Sequence, residues 1–127
     1  MVYRASGGRI GGRVRKTAPV LLLTTTGRKS GKPRTLPLLY LEDGGAYVVI
    51  ASLGGAPKHP AWYLNLQANP AAEIEFGTRK LDVTASTAMP EERARLWPLA
   101  VQIYAPYEDY KAKTTREIPI VILTPAA

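Results

Sequence analysis

Three tyrosines, Tyr104, Tyr107 and Tyr110, recur at i, i+3 and i+6. In a helical segment they fall within about 120° of one face. Three phenols there make an amphipathic wall, flat and apolar with hydroxyls along its edge, which suits an aromatic or quinone-like ligand. The same spacing describes rings that fill a core and send their hydroxyls to solvent, and aromatic stripes more often do that. Ser52 is a second candidate. It ends an apolar run just before Gly54-Gly55, where its hydroxyl and the nearby amides can face a ligand or can cap the loop. His59, the only histidine, has the chemistry of a general base near neutral pH. Its place before a helix-starting proline suits ring packing better. Trp62 and Tyr63 read as core or pocket wall. No Ser-His-Asp or Cys-His arrangement, GxGxxG run, Walker motif or metal motif is present.

Composition narrows the chemistry further. The 127 residues fit one domain with a real core, and 46% hydrophobic against 21% charged residues describes a globular chain. The absence of cysteine excludes disulfides, thiol catalysis and thiolate metal sites. One histidine and ten scattered acids do not favour a metal site of another kind. No apolar run approaches the roughly 20 residues of a membrane-crossing helix, and no apolar h-region opens the chain, so the expected location is cytoplasmic. Chemistry without a nucleophile, a metal or a base pair usually belongs to a borrowed cofactor.

The charge points to what is borrowed. Residues 1–41 hold nine Lys or Arg and no acid, whereas residues 42–127 hold eight bases and ten acids. The net charge of +7 thus comes from the first third. Such asymmetry suits a polyanion: nucleic acid, an anionic membrane surface or a phosphorylated cofactor. Within it, residues 21–40 read as a hairpin whose tip is Gly27-Arg28-Lys29-Ser30-Gly31-Lys32-Pro33-Arg34. Held on paired strands, that tip is either a grip for an anionic ligand or a solvated turn.

The elements that must position these groups follow from pattern. Residues 1–16 are rich in Gly and Arg and too poor in apolar residues for a stable amphipathic helix, so they read as a basic arm ahead of a single domain, 17–127. Strands are expected over 19–26, 35–42, 46–52, 71–76, 79–85 and 118–123, with Pro37 placing the second at an edge or bulge. A short helix is expected over 59–66 with Pro60 in its first turn, and another from Pro90, broken or kinked near Trp97 by Pro98. Six strands with these helices suggest a mainly β fold, an antiparallel sheet curled into a barrel with flanking helices.

Several ordered segments together resemble one family, the deazaflavin-dependent nitroreductases of the split-β-barrel flavin/deazaflavin oxidoreductases. They are LLTTTGRKSGKPR (22–34), ASLGGAPKHPAWYLNLQANP (51–70), ERARLW (92–97), YAPYEDYKAKTTR (104–116) and IPIVILTP (118–125). The resemblance implies a split barrel and coenzyme F420 as cofactor. It implies that Arg28, Lys29, Ser30, Lys32 and Arg34 hold the cofactor's phosphate and polyglutamate tail. Ala51, Ser52, Gly54, Pro60, Ala61, Trp62 and Asn65 would line the deazaflavin, and Ser52, Tyr104, Tyr107 and Tyr110 would face the acceptor. Leu53 stands where relatives often carry a cation, and Leu39 is read as replacing an aromatic; both make the acceptor side more apolar. The implied activity is hydride transfer from F420H2 to a quinone, an activated enone or a nitroaromatic. With a menaquinone acceptor, the basic arm could lie on anionic lipid. Two other readings stay open: a non-enzymatic module for nucleic acid or anionic membrane, though no RNA-binding motif supports it, and a split barrel that uses FMN or haem.

Overall fold

The computed structural model describes residues 19–126. The basic arm expected over residues 1–16 lies outside them. Among the described residues seven strands are present: β1 (Val20–Thr26), β2 (Pro33–Leu39), β3 (Leu41–Asp43), β4 (Ala46–Ile50), β5 (Ala71–Phe76), β6 (Arg79–Thr87) and β7 (Ile120–Pro125). Three α-helices of the described residues accompany them: α1 (Ala61–Ala68), α2 (Pro90–Ile103) and α3 (Pro106–Lys113).

The strands form one antiparallel sheet in the order β2-β1-β5-β6-β7-β4-β3. The strand expected over residues 35–42 is two strands, which is why seven replace six. β2 pairs with β1 from Val20↔Leu39 to Thr26↔Pro33, whereas β3 pairs with β4. Only Tyr40 separates them, and its N–H donates to the Pro19 carbonyl at 3.1 Å. β2 and β3 sit at opposite ends of the strand order, yet one residue spans about 3.8 Å per step. The sheet must therefore curl until its two edges meet, which makes the barrel. Pro37 lies on β2, an edge strand in that order, where a missing N–H is tolerated.

Period-2 alternation divides the apolar residues between two cores. Tyr47 and Val49 of β4 and Val121 and Leu123 of β7 face the barrel interior with Leu21, Leu23, Ile74, Trp62 and Leu66. Val48 and Ile50 of β4 and Ile120 of β7 face outward onto Leu96, Trp97 and Ala100 of α2 and Tyr107 of α3. β4 and β7 are buried on both faces, as their unbroken apolar runs require.

Two helix expectations are corrected. α1 begins at Ala61, with Pro60 in extended backbone ahead of it rather than in its first turn. α2 runs from Pro90 to Ile103 as one helix with Pro98 inside, so of the expected kink or break the break is absent. Pro98 and Ala94, whose carbonyl loses its partner to the proline, both face solvent, where water can satisfy that carbonyl. The buried residues Leu96, Trp97 and Ala100 hold the helix on the sheet on either side of the proline. At its start, Glu92 Oε1 accepts the Met89 N–H at 3.0 Å and closes the first turn. Among the described residues no helix is long and apolar enough to cross a membrane, and no group of acids and histidine could hold a metal ion.

Candidate active site

A cleft of about 780 Å³ opens between β2, the loop before it, the turn after β4, the start of α1 and the tyrosines near α3. It runs along β2. Arg34 stands near one end of that strand and Leu39 at the other, about 16 Å away at the usual strand rise. Leu39 packs against the core cluster that holds Tyr107. The cleft thus joins the basic loop to the tyrosines.

The loop 27–32 is shaped by its backbone. Gly27 N–H donates to the Lys32 carbonyl and Gly31 N–H to the Gly27 carbonyl, both at 2.8 Å. Ser30 Oγ accepts the Lys32 N–H at 3.1 Å. Asn65 ties the loop to the barrel: Oδ1 accepts the Arg28 N–H at 3.1 Å, and Nδ2 donates to Thr25 Oγ1 at 3.1 Å. Asn65 and Thr25 are the buried polar residues of the described core; Thr25 accepts from Asn65, and Asn65 accepts from the loop. The Asn65 amide thus positions the loop, and Asn65 also borders the cleft, where its cofactor role is expected.

The loop's cations are not neutralised. Ion pairs among the described residues join Lys80 to Glu73, Arg93 to Glu117 and Arg95 to Asp43, and none involves Arg28, Lys29, Lys32 or Arg34. Arg28, Lys29, Ser30 and Arg34 line the cleft; Lys32 does not.

After β4 the chain enters a tight turn over Leu53–Gly55. Ser52, Leu53, Gly54, Pro60, Ala61 and Trp62 line the cleft there. Ala51 does not: it is fully buried, and its expected role as part of the lining is replaced by a backbone role. The Ser52 hydroxyl makes no capping hydrogen bond, which removes the loop-capping alternative. Leu53 has φ of 45°, a left-handed conformation that costs a non-glycine residue about 1–2 kcal/mol. Strain of this kind gathers at functional sites.

The tyrosines cluster, but not on one helix. α2 ends at Ile103, Tyr104 stands at the break, and Tyr107 and Tyr110 lie on α3. Ring centroids are 5.1 Å apart for Tyr104–Tyr107, 6.2 Å for Tyr104–Tyr110 and 6.3 Å for Tyr107–Tyr110. The Tyr104 and Tyr110 hydroxyls are 3.3 Å apart. Burial, followed by the neighbouring phenols, pushes the Tyr107 pKa up to about 12. The hydrogen bond to Tyr110 raises that of Tyr104. Both stay protonated at neutral pH and can donate.

Sequence reasoning missed the residue that fixes the turn. Arg116, between α3 and β7, donates from Nη2 to the Ser52 carbonyl at 2.7 Å, from Nε to the Ala56 carbonyl at 2.9 Å, and from Nη1 to the Ala51 carbonyl at 3.3 Å. Its Nη1 also lies 3.0 Å from His59 Nδ1. His59 stacks edge-on against Tyr63 at 5.0 Å, which agrees with ring packing over general-base chemistry. The contacts of Arg116 span 57 to 65 residues of sequence, so only the fold reveals them. Apolar β2 residues Leu36 and Leu38 also line the cleft and were not singled out.

A model of the F420H(2)-dependent quinone reductase family matches residues 1–125. The chain belongs to that family. It is 46% identical over 126 residues to an F420H(2)-dependent quinone reductase of Mycobacterium tuberculosis, covering 97% of this chain and 85% of the relative. It matches the structure of the F420-H2 dependent reductase FDR-A at 47% identity and a TM-score of 0.77, over 89% of this chain and 99% of that one. HutZ, the heme storage protein of Vibrio cholerae, matches at a TM-score of 0.64 and 14% identity over 86% of this chain and 82% of that one, a likeness of fold alone.

The residues of this family member fit its cofactor. F420 carries a phosphodiester and several carboxylates, and the cleft offers three lining cations with no carboxylate of the protein's own. At the tyrosine end, Tyr107 is only 6% exposed, yet its hydroxyl has no hydrogen-bond partner among the described residues. That phenol is available to whatever fills the cleft.

Proposed function

We propose that this F420H2-dependent quinone reductase binds its cofactor along β2, tail at the basic loop, and reduces the acceptor between Ser52 and the tyrosines. The supporting observation is a single cleft with an unneutralised cationic loop at one end and neutral phenols at the other. Reduced F420, when bound, supplies a hydride from its C5.

The chain's own residues do the rest. Arg28, Lys29 and Arg34 hold the anionic tail, Arg28 with its backbone already fixed by Asn65. Trp62, Leu36 and Leu38 give an apolar surface that excludes water from the ring system. Two-electron reduction of a quinone takes a hydride and a proton, and negative charge gathers on the quinone oxygen as the hydride arrives. The Tyr107 O–H and the Ser52 O–H donate to that oxygen, which lowers the barrier where charge develops. A phenol with a pKa near 12 is a donor and proton source at pH 7, not a base.

Fluorescence titration with F420 and with FMN, followed by assays with quinone, enone and nitroaromatic acceptors, tests this reading. Saturable F420 binding at low salt is expected, with quinone reduction and no comparable FMN binding. No F420 binding overturns it. Tyr107→Phe is expected to lower kcat about tenfold while leaving F420 affinity intact. Unchanged turnover removes that hydroxyl from the reaction.

A further inference from the structure

The Arg116 guanidinium is the point where the start and the end of the 51–59 segment meet. It reaches three backbone carbonyls and one imidazole nitrogen, and among the described residues it has no carboxylate partner. An arginine has donors only. All four partners must therefore be acceptors, which makes His59 Nδ1 a lone pair and puts the single ring proton on Nε2. The segment's own bonds are local: Gly55 N–H to the Ser52 carbonyl at 2.9 Å and Ala56 N–H to the Leu53 carbonyl at 3.0 Å. These fix the turn's shape but not its placement. The placing contacts are Arg116, the Ala51 N–H to the Pro119 carbonyl at 2.9 Å, and Lys113 Nζ to the Gly54 carbonyl at 3.4 Å.

We propose that Arg116 is a positioning residue for hydride transfer: its planar fork, accepted by neutral His59, holds the 51–56 backbone so that Ser52, Leu53 and Gly54 form the cleft wall. Arg116 does not line the cleft, so it acts through the turn. Its shortest bond goes to the carbonyl of Ser52, whose own side chain does face the cleft. The fork spreads over partners that a point charge cannot reach together. It also offsets the strain of left-handed Leu53, which a free turn would relax. The proposal rests on the reading that this turn lines the F420 site.

The test compares the full-length wild type with Arg116→Lys, which keeps the charge and loses the fork. Expected are faster amide exchange at residues 52–56, F420 affinity weaker by about tenfold and a lower kcat with a soluble benzoquinone, since misplaced groups at a reacting centre lose rate steeply. The KM for the quinone should change less than kcat. Lysine restoring wild-type affinity and kcat overturns the proposal, because charge alone would then suffice. Faster exchange with unchanged affinity and kcat also overturns it, leaving Arg116 a fold residue only. A measurement on the wild type guards against a variant that fails to fold: the long-range 15N–1H spectrum of His59 at pH 7 should show the Nε2–H tautomer, and an Nδ1–H or doubly protonated ring overturns the clasp. If wild-type protein does not bind F420, the proposed function fails, and the exchange and tautomer results still judge the clasp itself.

Discussion

The loop 27–32 and the turn 52–55 border the same cleft, and both combine cations with left-handed backbone, but they use them in opposite ways. In the loop, neutral bonds carry the shape: Gly27 to Lys32, Gly31 to Gly27, Ser30 to Lys32 and Arg28 to Asn65. The cationic ends of Lys29 and Lys32 take no part in it, the Arg28 guanidinium adds only a 3.4 Å bond to Asn65 Oδ1, and Arg34 makes only a 3.5 Å contact with Ser30 Oγ. At the turn, the cation points inward and the backbone depends on it. Charge reserved for a ligand can be removed without unfolding the protein; charge that replaces backbone partners cannot. Composition does not separate the two uses: the loop carries its own cations beside its glycines, whereas the cation that holds the turn, Arg116, stands 60 to 65 residues away from it in sequence.

The largest contrast should come from two glycines. Gly31 in the loop and Gly55 in the turn have φ of 72° and 82°, so an alanine at either is strained by about 1–2 kcal/mol. The surroundings differ. A Cβ on Gly31 meets nothing within 4 Å, whereas one on Gly55 meets the Tyr110 carbonyl oxygen at 2.9 Å and the Tyr110 Cα at 3.0 Å. Those atoms are the backbone of α3, which cannot retreat as a side chain can. Gly55→Ala is therefore expected to destabilise by about 2–4 kcal/mol in urea or thermal unfolding, and Gly31→Ala by half as much or less. Equal losses would mean that α3 does not lean on the turn. Because α3 carries Tyr107 and Tyr110, Gly55→Ala should also disturb turnover, and Gly31→Ala should not.

How far sequence reached follows the same division. The barrel was legible because strands with buried faces announce themselves: residues 46–50 and 120–123 are apolar without interruption, and β1 and β2 flank a tip no strand can continue. The change of partner at Tyr40 was not legible, since a single residue carries no signal for which edge its neighbours will join. The tyrosine cluster was foreseen for a reason only half right. Spacing at three and six residues assumed one helix, and the structure assembles the rings across a break after Ile103. The Arg116 clasp had no local signature at all: its partners lie 57 to 65 residues away and three of the four are backbone. Motifs report side chains that meet ligands; they are silent about side chains that hold other residues' carbonyls.

The loop side of the contrast is tested by removing its charge. Lys29→Ala with Arg34→Ala takes two lining cations from the cleft and breaks no ion pair of the described residues. F420 affinity is expected to fall about tenfold to a hundredfold at low salt, in keeping with the loss of charge-assisted bonds. The deficit should shrink as salt rises and screens the wild-type loop. The melting temperature should stay close to that of the wild type. Undiminished affinity would return the loop to a solvated turn, and a large loss of stability would show that its cations hold the fold after all.

The smallest expected effect belongs to the turn, and pH reveals it. Burial first, and then the Arg116 cation, hold the His59 pKa below the ordinary imidazole value. The groups around that ring are Arg116 at Nδ1, the Tyr63 ring and, next in the chain, Lys58, so no acid favours protonation. The unfolded chain binds the His59 proton near pH 6.5 while the folded one still refuses it, so stability is full above about pH 6.5. It declines as the pH falls towards the lowered folded value and is flat below that. Protonation would remove the acceptor and set a second cation against Arg116. Asn in place of His keeps an acceptor oxygen but does not titrate. His59→Asn should therefore flatten the decline in melting temperature between pH 7 and 5 without lowering the value at pH 7 by much. A variant with the same slope as the wild type would place the titrating group elsewhere, and the clasp would then be a geometric device with no acid-sensitive member.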